Sequence, residues 1–98
     1  MNNKLMELYE YSDPEAVKEK AHELGLGDVH ESSRKDKKYM IYDPYVGRMV
    51  HFGQFLPPYE DYTKHKDEKR RQNFLNRNKA WKNRYLYSPA YLSYTLLW

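Results

Sequence analysis

Apolar positions along this chain come in short groups, each with its own period. The first group, Val17, Ala21 and Leu24, recurs at helical spacing behind Ser12-Asp13-Pro14-Glu15. Ser12 can cap there with Glu15 three residues on, or Asp13 can cap with Pro14 at the first helical position. Gly25 is a natural stop, and Gly27 keeps the following turn loose. The pattern predicts a helix of about three turns, which persists only if its apolar stripe packs. Glu15, Lys18, Glu19, Lys20 and Glu23 form its solvated face. Residues 31–38, ESSRKDKK, read as a polar linker. Tyr39-Met40-Ile41-Tyr42 and Arg48-Met49-Val50-His51-Phe52 then read as strands flanking the turn Asp43-Pro44-Tyr45-Val46-Gly47. Alternation puts Val50 and Phe52 on one face of this hairpin and Met49 and His51 on the other, with Gly53 placed to end the strand. A hairpin alone is marginal, so helices or a further short strand must cover it.

Leu56-Pro57-Pro58-Tyr59 breaks regular structure. Residues 66–81 contain no Pro or Gly and no β-branched residue, and predict one continuous helix. Glu60 and Asp61 are placed to cap it and to attract Lys64 or His65. Asp67, Arg71, Phe74, Asn78 and Trp81 share one stripe, and Phe74, Leu75 and Trp81 anchor a narrow apolar seam. Asp67 stands at helical spacing from Arg70 and Arg71 and is placed to hold one or the other. Ser88-Pro89 supplies a cap and a first-turn proline for a last helix, in which Leu92 and Leu96 share a face. Leu96-Leu97-Trp98 either closes the core or forms an association patch. These elements predict an α+β fold: a small single domain with a central β-hairpin packed by short helices, one of them basic.

Composition adds an amphipathic character. The chain has 98 residues, room for one domain rather than two, and 40% of them are apolar. Eleven are Tyr, against three Phe and two Trp, and tyrosine packs its ring while keeping its hydroxyl wet. Charge is segregated. Residues 1–33 carry three Lys and eight acids, 3 − 8 = −5, and residues 34–98 carry fourteen Lys or Arg and six acids, 14 − 6 = +8. The division expected is an acidic N-terminal segment, residues 1–33, with one helix, and a basic core, residues 34–98, with the hairpin and later helices, folded as one unit.

Most catalytic chemistry finds no foothold. The absence of cysteine excludes disulfides, thiolate metal sites and cysteine catalysis. There is no Gly-rich phosphate loop, no GxSxG elbow and no HExxH motif. His22, His30, His51 and His65 match no compact metal motif. His51 reads as a strand histidine bonded to backbone or a nearby carboxylate. His65 invites a pair with Asp61 or Asp67, but no nucleophile accompanies them. No catalytic residue, metal, cofactor or small-molecule substrate is expected. The first residues lack a signal-peptide run, and no stretch reaches the roughly 18 apolar residues of a membrane span, so no membrane insertion is expected.

The basic stretch is the candidate binding surface. Lys64, Lys66, Lys69, Arg70, Arg71, Arg77, Lys79, Lys82 and Arg84 face only two acids, Asp67 and Glu68, between positions 64 and 84. Trp81 and Trp98 join them as aromatic contacts. Such a set can neutralise phosphates while aromatics stack on bases, or fork the carboxylates of an acidic protein, or simply lie solvated against the acidic first third. No base-reading edge is recognisable, so any nucleic-acid binding would go through the backbone.

Lys37-Lys38-Tyr39, His51-Phe52-Gly53, the run Tyr59 to Arg71 (YEDYTKHKDEKRR), Arg77, Ser88, Leu92-Ser93 and Leu96-Leu97-Trp98 together resemble a family of short proteins of large double-stranded DNA viruses of eukaryotes, the giant-virus group. The family pattern has a KKY opening, an HFG motif, a YxDYTxHKDxxRR core and a late segment ending in LLW. The resemblance spans about the last two-thirds of the chain, and the Pro57-Pro58 stretch departs from the pattern. It implies no residue-level activity. It implies a virion component, a minor capsid protein contacting viral capsid proteins, present in the virion and in host cytoplasm during assembly; the alternative is a non-sequence-specific nucleic-acid-binding protein associated with the viral genome. On that view His51 and Phe52 anchor the hairpin, and Tyr59, Tyr62 and Thr63 fix the start of the basic helix, the Tyr hydroxyls bonding backbone.

Overall fold

The computed structural model describes residues 3–98. The order is α1 (Asn3–Tyr11), α2 (Pro14–Glu23), β1 (Val29–Glu31), β2 (Lys37–Asp43), β3 (Arg48–Gln54), α3 (Tyr62–His65), α4 (Glu68–Arg77), a 3-10 turn (Lys79–Asn83), α5 (Pro89–Leu92) and a π-helical turn (Ser93–Leu97). The fold is α+β. An antiparallel sheet in the order β1-β2-β3 contains the hairpin, with Tyr39 opposite Phe52 and Ile41 opposite Val50.

Local chemistry sets the helix starts. Asp13 is the cap of α2, its carboxylate accepting from Ala16 N, with Pro14 in the first turn. Ser88 caps α5 by accepting from Tyr91 N. The core gathers Leu8, Val17 and Ala21 from α1 and α2, Val29, Tyr39, Ile41 and Phe52 from the sheet, and Tyr87, Leu92, Leu96 and Leu97 from the last third. The C-terminal leucines therefore close the core, and Trp98 packs against it half-buried.

Gly53 does not end its strand. It sits within β3 at φ +77, where a Cβ would lie 2.7 Å from Leu97 Cδ1 and 3.3 Å from Lys38 Cβ. Only a residue without a side chain lets the π-helical turn come this close to the sheet.

Several expectations give way. The polar stretch 31–38 is not all linker: β1 ends at Glu31 and β2 starts at Lys37. Leu24 is 49% exposed, because α2 ends before it and Leu26 takes the core position. The continuous helix over 66–81 is broken. Lys66 adopts a left-handed conformation (φ 57) that closes α3, and Asp67 starts α4 by accepting from Lys69 N and Arg70 N. Asp67 is thus a cap and not an arginine partner. Asp61 occupies the cap position of α3 but makes no capping bond, since its carboxylate is taken by other groups. Trp81 lies in the 3-10 turn beyond Asn78.

Candidate functional site

Two clefts open on either side of Trp98, and both are lined by Leu97 and Trp98. The larger, about 480 Å³, has walls from Tyr59, Phe74 and Trp81. Phe74 stacks on Trp98 with centroids 4.3 Å apart and planes 6° from parallel, and Trp81 meets Phe74 edge-on at 5.8 Å.

At the inner side of this cleft lies a buried ion pair. Lys38 Nζ donates to Asp61 Oδ2 at 2.9 Å, with side-chain exposures of 4% and 2%. Such a pair persists only when its remaining valences are satisfied. Thr63 Oγ donates to the second Asp61 oxygen, and it also accepts from Asp13 N at 2.9 Å and lies 3.2 Å from Ser12 Oγ. Tyr39 donates to Ser12 Oγ at 2.6 Å, and burial pushes its hydroxyl pKa far up. This network ties the α1–α2 junction to β2 and α3.

The smaller cleft, about 260 Å³, is cationic. Lys20 reaches it from α2, Lys66 from the end of α3 and Arg71 from α4. Arg71 is held in place: Nε donates to the Trp98 carbonyl at 2.7 Å, Nη1 to Glu68 Oε1 at 3.0 Å, and the guanidinium lies 5.3 Å from the Tyr62 ring centre. Hydrogen bonds from Gln72, Tyr62 and Arg71 hold the Glu68 carboxyl below its usual range. The Tyr62 hydroxyl therefore serves a carboxylate and not backbone.

The structure thus brings Lys66, Arg71 and Trp98 together and adds Lys20, which lies in the acidic third and which its local sequence marks only as a solvated residue. Trp81 belongs to the aromatic cleft. Lys64 donates to the Tyr9 carbonyl at 2.8 Å and ties α3 to α1. Lys69, Arg70, Arg77, Lys79, Lys82 and Arg84 are exposed, and none has an ion-pair partner among the described residues. They spread over α4 and the turn after it.

The histidines take quiet roles. His51 Nδ1 meets Ser32 Oγ at 2.6 Å, a hydroxyl and not the expected backbone or carboxylate. His65 Nδ1 accepts from Asp67 N, and Nε2 is buried without a hydrogen-bond partner among the described residues. The His65 pKa falls below 6.5 through desolvation first and Arg70 second, opposed by Asp61, Asp67 and Glu60. The neutral ring is favoured by folding, so its contribution is complete above pH 6.5 and is lost as pH falls below that value. Urea midpoints measured from pH 7.5 to 5 should decline, and His65→Gln should flatten that part of the decline.

A third feature is the outer end of the hairpin. Tyr42 and Met49 are cross-strand partners, and Tyr45 and Val46 at the turn are 75% and 58% exposed. Tyr87 touches both Tyr45 and Tyr85, with ring centres 6.1 and 6.2 Å away. The Tyr85 hydroxyl donates to Asp43 Oδ2 at 2.7 Å, and that bond pushes its pKa up to about 12. Tyr45 and Tyr85 thus gather around the buried Tyr87, while alternation along β2 turns Tyr42, with its partner Met49, away from the side that Asp43 faces.

Residues 27–78, just over half of the chain, match the model of a family of unknown function (DUF5754). The chain belongs to that family. The DUF5754 span holds the whole sheet, Gly53, both partners of the buried ion pair, Lys66 and Arg71. Lys20, Trp81 and Trp98 lie outside it, so each cleft is completed by residues beyond the match. No curated protein and no solved structure matches the chain. Among the described residues no cluster of His, Asp and Glu is arranged to hold a metal, and no helix is long and apolar enough to cross a membrane.

Proposed function

We propose that the protein is a non-catalytic structural subunit, a minor capsid component of a large DNA virus particle that works through contacts with viral capsid proteins. The observation that carries this reading is the exposed surface of Tyr42, Tyr45, Val46, Met49 and Tyr85 at the hairpin end. Aromatic and Met side chains of this kind are enriched in interfaces, and large apolar side chains left exposed at one end of a small domain mark a contact. The resemblance in sequence supplies the particle. The protein would reside in the virion and, during assembly, in host cytoplasm.

The test is retention on purified particles at about 0.15 M and about 0.5 M salt, where charge contacts are screened and apolar ones persist. The wild type should remain at both. Tyr45→Asp with Met49→Lys should reduce retention by about tenfold or more with an unchanged circular dichroism spectrum, as for loss of a central interface residue. Equal retention of variant and wild type would remove the hairpin surface from the reading.

A second reading has its own observation: the six exposed cations of α4 and the following turn that have no ion-pair partner among the described residues. They favour a polyanion, a genome-associated role through non-specific phosphate contacts.

A further inference from the structure

We infer that the two clefts flanking Trp98 form one site for single-stranded nucleic acid, with a backbone phosphate in the cationic cleft and an unstacked base in the aromatic one. This rests on the second reading above. Lys20, Lys66 and Arg71 converge on the smaller cleft from three elements. Lys20 and Lys66 have no ion-pair partner among the described residues, and Arg71 is oriented by the Trp98 carbonyl and Glu68. Three cations around one cleft suit a phosphate diester, and the Arg71 guanidinium retains donors beyond Nε and Nη1.

Across Trp98 the surface changes character. The larger cleft offers Trp81, half-buried, and Tyr59, 64% exposed, as ring surfaces. Phe74 is already covered by Trp98, so the base would lie against Trp81 or Tyr59. A volume of about 480 Å³ accommodates a base. Neither cleft presents side chains in an arrangement that reads base edges, so recognition would tolerate sequence, and a duplex would keep its bases out of reach.

Both tryptophans of the chain line the larger cleft, which makes intrinsic fluorescence the direct readout. The full chain would be titrated with a labelled oligothymidylate of about twelve nucleotides, and with a duplex of equal length, at about 0.05 M salt. Expected are binding of the single strand in preference to duplex, quenching of tryptophan emission, and a loss of at least tenfold in affinity in Lys20→Glu with Lys66→Glu. Trp81→Leu should weaken single-strand binding by about tenfold while leaving competition by pyrophosphate unchanged. Lys79→Glu with Lys82→Glu removes the same charge outside both clefts and should cost less than the cleft pair. If the two charge variants lose equally, or duplex binds as well as single strand, or emission is unmoved, the cleft assignment is wrong while the broader nucleic-acid reading stands. No binding of either probe overturns both.

Discussion

Replacing Gly53 with alanine should lower the unfolding free energy by about 2–4 kcal/mol, from a left-handed backbone forced on an L-residue and from overpacking. The new methyl would stand 2.7 Å from Leu97 Cδ1, with Lys38 Cβ at 3.3 Å on its other side. Leu97 Cδ1 is the far end of a side chain that also lines both clefts, so it can turn away in part, whereas Lys38 Cβ is fixed to the β2 backbone and cannot. Gly25 is the control. Its φ is +71 and nothing lies within 4 Å of its hypothetical Cβ, so alanine there should cost only about 1–2 kcal/mol of backbone strain. Denaturant midpoints of the two variants separate steric crowding from backbone strain. Similar losses in both would mean that the close approach of Leu97 to the sheet contributes nothing. For a domain whose total stability is on the order of 5–15 kcal/mol, the Gly53 variant should stay folded at room temperature and melt at a clearly lower temperature than wild type.

Asp61→Ala should be of comparable severity, about 3–5 kcal/mol, because it strands a nearly fully buried ammonium on Lys38. Lys38→Met alone should also destabilise, by leaving the Asp61 carboxylate with the Thr63 hydroxyl as its side-chain donor. The double replacement Lys38→Met with Asp61→Leu removes both desolvated charges and should recover to within about 2 kcal/mol of wild type. A thermodynamic cycle over the four proteins gives the coupling. Additive losses, with the double variant the least stable, would show that the pair is held by its neighbours rather than by mutual attraction.

The parts of this fold that are legible in sequence are those whose cause is local. The hairpin declares itself through Asp43-Pro44 and Gly47 between alternating strands, and the starts of α2 and α5 through cap residues beside prolines. The missed elements have non-local causes. β1 has one buried apolar residue, Val29, in a polar context, and pairing with β2 makes it a strand. α1 has no acidic residue in its first turn and no basic one in its last, and it is held by packing of Leu8 in the core. The break at Lys66 was hidden because neither Pro nor Gly marks it; Asp67 can serve as a helical or a capping residue, and here it caps. The cationic cleft was half legible. Lys66 and Arg71 stand out in the basic run, but Lys20 joins them only because α2 folds beside the C-terminal turn. The role of Gly53 needed Leu97, 97 − 53 = 44 positions away.

That separation also bears on how the chain is made. Synthesis runs from the N-terminus, so the sheet emerges from the ribosome well before the segment that covers it. At about 5–20 residues per second, Phe52 and Ile41 wait some seconds for Leu92, Leu96 and Leu97. During that interval the sheet of a nascent chain is covered only from the side of α1 and α2, and its remaining apolar surface is one that a chaperone would hold and that neighbouring nascent copies on the same messenger would find adhesive.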